Sequence, residues 1–203
     1  MMKVALIGAS GQAGSRILRE LSNRGHAVTA IARNPKRIEV LAGVTPVRGD
    51  VADADALASI LSGHDAVVSS VHFLAFDAET LIAAVRASGV KRYLVVGGAG
   101  SLEVAPGQRL LDAPGFPDAY KAEASAGANY LDRLRAEDDL DWTFFSPAAM
   151  FVPGERTGRF RLGEDALIAN DQGSSISFED YAIALVDELE QPRHVRGRFT
   201  IGY

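Results

Sequence analysis

Residues 3–14 read Lys-Val-Ala-Leu-Ile-Gly-Ala-Ser-Gly-Gln-Ala-Gly, and this stretch restricts the possible folds more than any other. Val4 to Ile7 form a short apolar run suited to a strand buried on both faces. Gly8, Gly11 and Gly14 follow at three-residue spacing, and a helical pattern begins at once, with Ile17, Leu18 and Leu21 on one face. A glycine triplet alone says little; one set between an apolar strand and an amphipathic helix says much more. Gly8 permits the tight turn, Gly11 lets a pyrophosphate approach the backbone, and Gly14 allows close packing of helix on strand. The helix start offers free N–H groups and a positive dipole end to the anion. Gly8, Ala9, Ser10, Gly11, Gln12 and Ala13 are therefore the expected phosphate-binding residues.

The spacing G-x-x-G-x-x-G resembles that of the short-chain and extended dehydrogenase/reductase superfamily. Ala27 to Ala32 read as the second strand, closed by Arg33-Asn34-Pro35, with Pro35 opening a short helix towards Leu41. An acidic residue about 20 positions beyond the glycines would bind the ribose 2′-hydroxyl of NAD. Arg33 stands there instead, with Lys36 and Arg37 close behind. A guanidinium suits a 2′-phosphate, so NADPH is expected ahead of NADH; the plainer alternative is a solvated basic turn. Ser10 either adds a hydroxyl to that phosphate or caps the turn. Thr45 to Arg48 make a third strand, after which Asp50 and Val51 are placed to meet the adenine, while Asp50 or Asp53 caps the helix Ala54 to Leu61.

Asp65 to Val71 form the fourth strand, beside the first across the switch point of the sheet, which makes Ser69, Ser70 and Val71 neighbours of the ribose and pyrophosphate. His72 follows, either a substrate or catalytic group or a structural histidine at a strand end. Asp77 caps a helix over Ala78 to Ser88, and the fifth strand, Arg92 to Val96, opens into Gly97-Gly98-Ala99-Gly100-Ser101-Leu102. Residues 99–116 carry Gly100, Pro106, Gly107, Pro114 and Gly115 and read as an irregular lid or binding loop, or as a mobile insertion. A long helix from Asp118 to about Asp138 buries Ala124, Ala128, Leu131 and Leu134. Trp142 to Phe145 make a sixth strand leading into Ser146-Pro147-Ala148-Ala149-Met150-Phe151. Short strand-like pieces follow at 159–162 and 166–168, then a capped helix from Ser177 to about Glu190 and a last strand over Arg198 to Gly202. The expected fold is a single α/β domain spanning residues 1–203, a Rossmann-type doubly wound and mostly parallel sheet. Loop 99–116 and segment 151–175 form its substrate side.

Several chemistries are excluded or unsupported. Cysteine is absent, which removes disulfides, thiolate catalysis and cysteine-held metals. His26, His64, His72 and His194 are scattered, and no metal site is expected. A net charge of −5 gives nucleic-acid binding no electrostatic support. No apolar run approaches the about 18 residues of a membrane span, and the chain starts directly on its first strand, so a cytoplasmic monomer or homodimer acting on a small molecule is expected. No Gly-x-Ser-x-Gly elbow appears. The Tyr-x-x-x-Lys pair of ordinary short-chain dehydrogenases, in which Lys lowers the phenol's pKa, is also missing. Tyr120 is followed at that spacing by Ala124, Tyr130 by Leu134 and Tyr181 by Leu185, and Gly97-Gly98-Ala99 stands where an active-site Ser is usual.

With these absences, the chain resembles an atypical short-chain reductase of the NAD(P)H-flavin reductase group, related to the NmrA-like proteins and to biliverdin/flavin reductase. The resemblance covers the full length. It is carried by Gly8 to Gly14, Ala32 to Pro35, Gly49-Asp50-Val51, Gly97 to Leu102, Ser146-Pro147-Ala148 and Pro153-Gly154-Glu155-Arg156-Thr157-Gly158. It implies hydride transfer from nicotinamide to a stacked acceptor such as a diffusible flavin or a quinone, with the protein holding two rings in contact. Gly97, Gly98, Pro147 and Ala148 would line the nicotinamide side; Phe73, Ser101, Tyr120, Met150 and Phe151 would line the acceptor side. Ser101, Tyr120 and His72 are the candidate catalytic groups. Ala99 departs from the mammalian relative, which carries Ser there, so that residue's role does not transfer. A second reading of the same resemblance is a non-catalytic NADP(H)-binding regulator of the NmrA type; a nucleotide-sugar epimerase is a distant third because the required Tyr is missing.

Overall fold

Successive residues of a strand point to opposite faces, and in β1 (Lys3–Ile7) both faces are apolar: Val4 and Leu6 enter one core, Ala5 and Ile7 the other. A strand buried twice belongs at the centre of a sheet, and β1 occupies that place. The computed structural model describes residues 1–203. In chain order it continues with α1 (Gln12–Asn23), β2 (Ala27–Ala32), β3 (Val44–Arg48), α2 (Ala54–Leu61), β4 (Ala66–Ser69), α3 (Ala78–Ala87) and β5 (Arg92–Val96). Then come β6 (Glu103–Ala105), β7 (Gln108–Arg109), α4 (Asp118–Arg135), β8 (Asp141–Ser146), β9 (Met150–Val152), β10 (Arg161–Gly163), β11 (Ser175–Ser177), α5 (Phe178–Glu190) and β12 (Gly197–Gly202).

The main sheet has the order β10-β12-β8-β5-β4-β1-β2-β3, parallel throughout except for the antiparallel edge strand β10. The expected Rossmann-type doubly wound fold is thus present. One core packs α1 and α5 on the sheet; the other packs α2, α3 and α4 on the opposite face. The chain leaves β1 towards β2 and β3 on one side, and β4, β5 and β8 extend on the other, so the winding reverses between β1 and β4. A crevice opens there beyond the strand C-termini. No helix is long and apolar enough to cross a membrane.

Four expectations change. Residues 99–116 are ordered, not irregular: β6 and β7 form a small antiparallel hairpin, and a 3-10 turn follows at Leu110–Asp112. The helix expected from Pro35 towards Leu41 is a single 3-10 turn, Pro35–Arg37. Strand pieces β9 and β11 pair in parallel as a separate two-stranded sheet, and three residues are too few for a periodicity to announce them.

The fourth change concerns segment 151–175. The sequence assigns it to the substrate side, yet Pro153 to Gly158 is a fastening. Gly154 N–H donates to Glu179 at 2.9 Å and Ser177 Oγ to the Glu155 carbonyl at 2.9 Å. Arg156 pairs with Glu20 at 2.9 Å, while Thr157 Oγ1 and Gly158 N–H donate to the fully buried Asp180 at 2.5 and 2.8 Å. The motif clamps the strip to α1 and α5, and only Phe151 of this segment reaches the crevice.

Candidate functional site

The crevice is one groove in three sections that share residues. At one end lie Gly8, Ser10, Arg33, Asp50, Val51, Ser70 and Val71. Gly11, Gln12, Ala13, His72, Phe73, Gly97 and Phe151 line the middle. The far end is a cavity of about 490 Å³ whose wall includes Gly97, Gly98, Pro147 and Ala148 together with Leu110, Phe116, Tyr120, Met150 and Phe151.

The glycine turn is set by backbone crowding. Ile7 pairs with Ile31 on one side and Ser69 on the other, so Gly8 emerges directly against Ser70. Its φ is +82°, and a Cβ there would lie 2.1 Å from the Ser70 carbonyl oxygen. A Cβ on Gly14 would lie 2.2 Å from the Gly8 carbonyl oxygen, which is the close helix–strand approach. Gly11 is the N-cap of α1 and supplies no side-chain cap. The first-turn N–H groups of α1 are left for an anion, the arrangement that fits a pyrophosphate. Ala9 is buried, so only its backbone is available to a ligand.

Arg33 is exposed at the end of β2 and its guanidinium makes no hydrogen bond or ion pair within the chain. Asp50 accepts from the Ala52 N–H at 3.1 Å, and Asp53 caps α2 through the Ala56 N–H at 3.1 Å. The two carboxylates thus divide the work: Asp53 takes the cap, and Asp50 lines the groove.

Two expected residues are elsewhere. Ser69 shares the face of Val67 in β4, and this parity turns it away from the groove into the core beneath α4. There its Oγ meets the Tyr93 hydroxyl at 2.9 Å, and Tyr93 meets the Tyr130 hydroxyl at 2.7 Å. Burial pushes the Tyr93 phenol up to about 12 and raises Tyr130 as well, so both stay neutral hydrogen-bonding groups. Ser101 receives a hydrogen bond from Arg198 at 3.3 Å, and the same guanidinium holds Asp165 at 2.8 Å. It ties the hairpin loop to the sheet edge and is not on the cavity wall. Neither residue is part of the groove's lining.

His72 is almost fully exposed at the groove's edge, 3.4 Å from Glu123. Tyr120 is 65% exposed and lines the cavity one turn before Glu123 on α4. Phe73 packs between Tyr130 and Phe144, with ring centroids 5.7 and 6.0 Å away. Gly127 makes room for it, since a Cβ there would lie 2.9 Å from the Phe73 ring. Gly97 is equally constrained, its would-be Cβ 2.5 Å from the Phe144 ring. Gly98 is open to the cavity; a Cβ there would meet nothing nearer than Phe73 at 3.7 Å.

Sequence reasoning missed Glu123 and Phe178, whereas Ala113 to Phe116 belong to the 99–116 loop expected on the substrate side and do line the cavity. Glu123 accepts from the N–H groups of Phe73 at 2.7 Å and Leu74 at 3.1 Å, and it borders both the middle section and the cavity. A Glu in an α-helix with an unremarkable pattern gives no sign of a partner fifty residues earlier. Phe178 contacts Phe151 edge-on, with ring centroids 4.5 Å apart, and the sequence showed it only as part of the capped start of a helix.

The sequence matches the model of the family described as NAD(P)H-binding over residues 8–192. A solved structure from Burkholderia pseudomallei, named as a candidate exported protein, is 50% identical with both chains covered over 100% and a TM-score of 0.91. A Bacteroides thetaiotaomicron protein named as a candidate epimerase is 44% identical, covering 100% of this chain and 97% of its own, with a TM-score of 0.95. A Streptococcus pneumoniae protein named as a candidate NADH-flavin reductase is 39% identical, covering 100% of this chain and 99% of its own, with a TM-score of 0.82.

Proposed function

The chain belongs to the NAD(P)H-binding family, and from that premise we propose that it is an NADPH-dependent reductase delivering hydride to a flavin, a quinone or a similar conjugated acceptor. The observation that carries this reading is the continuity of the groove. Phe73, Gly97 and Phe151 line both the middle section and the apolar cavity, so a nicotinamide on Gly97 would meet an acceptor held by Tyr120, Met150 and Phe116.

Arg33, with no partner of its own, supplies a guanidinium for a 2′-phosphate. The free N–H groups of α1 and the glycine turn hold the pyrophosphate. NADPH supplies a hydride at the nicotinamide ring; the residues of this chain bind, orient and keep water away from it. Gly98 leaves the face of the cavity clear for a flat ring, and Phe73 and Phe151 provide apolar walls. A conjugated acceptor completes its reduction with a proton from solvent, so a site without a Tyr–Lys pair suffices. The Streptococcus neighbour's name agrees with this chemistry. The Bacteroides neighbour's epimerase name does not, because such chemistry uses a Tyr-x-x-x-Lys pair, and the phenol on the cavity wall, Tyr120, is followed at that spacing by Ala124 and has no amine beside it on that wall. A cytoplasmic setting fits an enzyme fed by a soluble nucleotide.

The test is NADPH oxidation followed at the nicotinamide absorbance with riboflavin, FMN and a small quinone in turn, alongside calorimetric titration of NADPH and NADP+. Saturable turnover above the free-solution rate is expected. Tight nucleotide binding without turnover across the panel would replace the reductase by the NADP(H)-sensing regulator.

A further inference from the structure

The cavity at the acceptor end is lined by 19 residues, and one of them, Glu123, is charged. No Lys, Arg or His faces into it. The guanidinium groups nearby are committed elsewhere: Arg109 pairs with Asp112 at 2.7 Å, and Arg198 holds Asp165 and Ser101. Lys121, beside Tyr120 on α4, is exposed and outside the wall. Within this wall a phosphate or carboxylate would find no cation and one carboxylate; the His72 imidazole lies 3.4 Å from that carboxylate, but outside the cavity and almost fully exposed to solvent.

That carboxylate is fixed in place. Glu123 accepts two backbone N–H groups from the turn that carries Phe73, at 2.7 and 3.1 Å. Swinging it away from an incoming anion would strip both donors of their partner, which opposes the movement. The turn and the charge therefore come as a unit: Phe73 forms the apolar wall, and the group that holds Phe73 sets the sign of the field at the rim.

We infer that the cavity selects uncharged conjugated acceptors and that Glu123 is the residue that disfavours anionic ones. The inference rests on the reductase reading of the same site and narrows its substrate class to ring systems with neutral substituents. Hydride from NADPH and one proton from water reduce riboflavin and FMN alike at the same ring, releasing NADP+. A difference between them therefore reports recognition of the tail and not the chemistry. Two like charges a few ångströms apart at a partly solvated rim correspond to about a tenfold preference, weakened by salt.

The experiment compares riboflavin with FMN, and menadione with its sulfonate, at low and high ionic strength, in the native protein and in Glu123→Gln. The amide keeps one oxygen acceptor, enough for the shorter bond from the Phe73 N–H, and removes the charge together with the acceptor of the Leu74 N–H. The neutral member of each pair should be favoured by about tenfold in kcat/KM, through KM, at low salt. The ratio should fall towards one in Glu123→Gln and at high salt. Equal or better use of FMN and the sulfonate by the native protein overturns the inference, and so does a ratio unchanged in a folded, NADPH-binding Glu123→Gln protein. Should that variant not fold, the salt series on the native protein decides. Binding of oxidised riboflavin and FMN to the NADP+-loaded protein, read by fluorescence quenching, gives the same ratio without turnover. Absence of turnover with every acceptor would thus sink the reductase reading, while the binding ratio still judges the selectivity.

Discussion

At the glycine turn the groove is backbone pressed on backbone, whereas at the acceptor end side chains from the 110–117, 120–124 and 147–151 stretches and Phe73 join the nearly bare backbone of Gly97 to Gly100. The first region tolerates no added atom: methyl groups on Gly8 or Gly14 would sit 2.1 and 2.2 Å from carbonyl oxygens. The second keeps large side chains half in solvent, Tyr120 at 65% and Met150 at 59% exposure. A groove built this way holds one ligand in a fixed pose and leaves the other end adaptable. Tight packing transmits any change, and exposed side chains absorb it. The cost of substitution should therefore fall along the groove from the turn to the cavity.

The largest effect is expected at Gly8. Gly8→Ala combines a left-handed φ with a clash against backbone that has nowhere to go, costing roughly 3 kcal/mol or more. Loss of the folded protein, or a melting temperature lower by at least about 10 °C with NADPH binding abolished, is the predicted result. A melting temperature within about 2 °C of the parent and intact binding would erase the contrast between the two ends. Arg33→Asp comes next, because it acts on the ligand and leaves the fold alone. It should weaken NADPH by roughly thirty- to a hundredfold while NADH changes only a few-fold. Calorimetric titration of both nucleotides checks this, and equal weakening would remove Arg33 from the 2′-phosphate.

The same contrast explains what the sequence made legible. The glycine end is local: strand, turn and helix are contiguous in residues 3–23, so spacing alone locates them. The doubly wound parallel sheet followed from apolar runs alternating with amphipathic helices, and of its neighbour pairs only the fourth strand beside the first was placed. The acceptor end is assembled by tertiary contacts that leave no periodic trace. Glu123 reaches back fifty residues to the Phe73 turn, and β9 meets β11 across twenty-five. Ser69 shows the opposite failing, since strand parity was readable but the side of the sheet that faces the groove at that position was not. Ser101 sits in the right loop, yet Arg198 from the last strand claims it.

A smaller effect tests whether Pro153 to Gly158 belongs to the acceptor end or merely anchors it. Burial pushes the Glu20 carboxyl up, but hydrogen bonds from Arg156 and Arg24 outweigh that and leave it below its ordinary value. A carboxyl depressed in the folded state stabilises the protein above its unfolded-state pKa, and that contribution fades as pH falls through the folded-state pKa. Glu20→Gln should lower stability by roughly 1–3 kcal/mol at neutral pH, with the gap to the parent narrowing as the solution is acidified below the ordinary carboxyl range. Thermal melts across that pH window measure it. kcat for the best acceptor should stay within about twofold of the parent, and a much larger loss would make the clamp part of the site, because the general scale for a displaced catalytic group is far greater.

The smallest effect is expected at Tyr120, and it bears most directly on mechanism. This is the one phenol on the cavity wall, since Tyr93 and Tyr130 are locked in the core with Ser69 and Tyr181 donates to the Phe145 carbonyl at 2.7 Å. No amine on the cavity wall is present to activate it: Lys121 is adjacent on α4 and lies outside the cavity. Removing its hydroxyl keeps the ring that walls the acceptor and deletes only the proton. If the acceptor takes its proton from water, Tyr120→Phe should change kcat by less than about threefold. A general acid removed from a transition state costs about 10²–10⁴-fold. A loss on that scale, with folding and NADPH affinity intact, would mean that the adaptable end of the groove performs acid chemistry of its own, and the acceptor would then have to be one that needs it, such as a simple carbonyl compound.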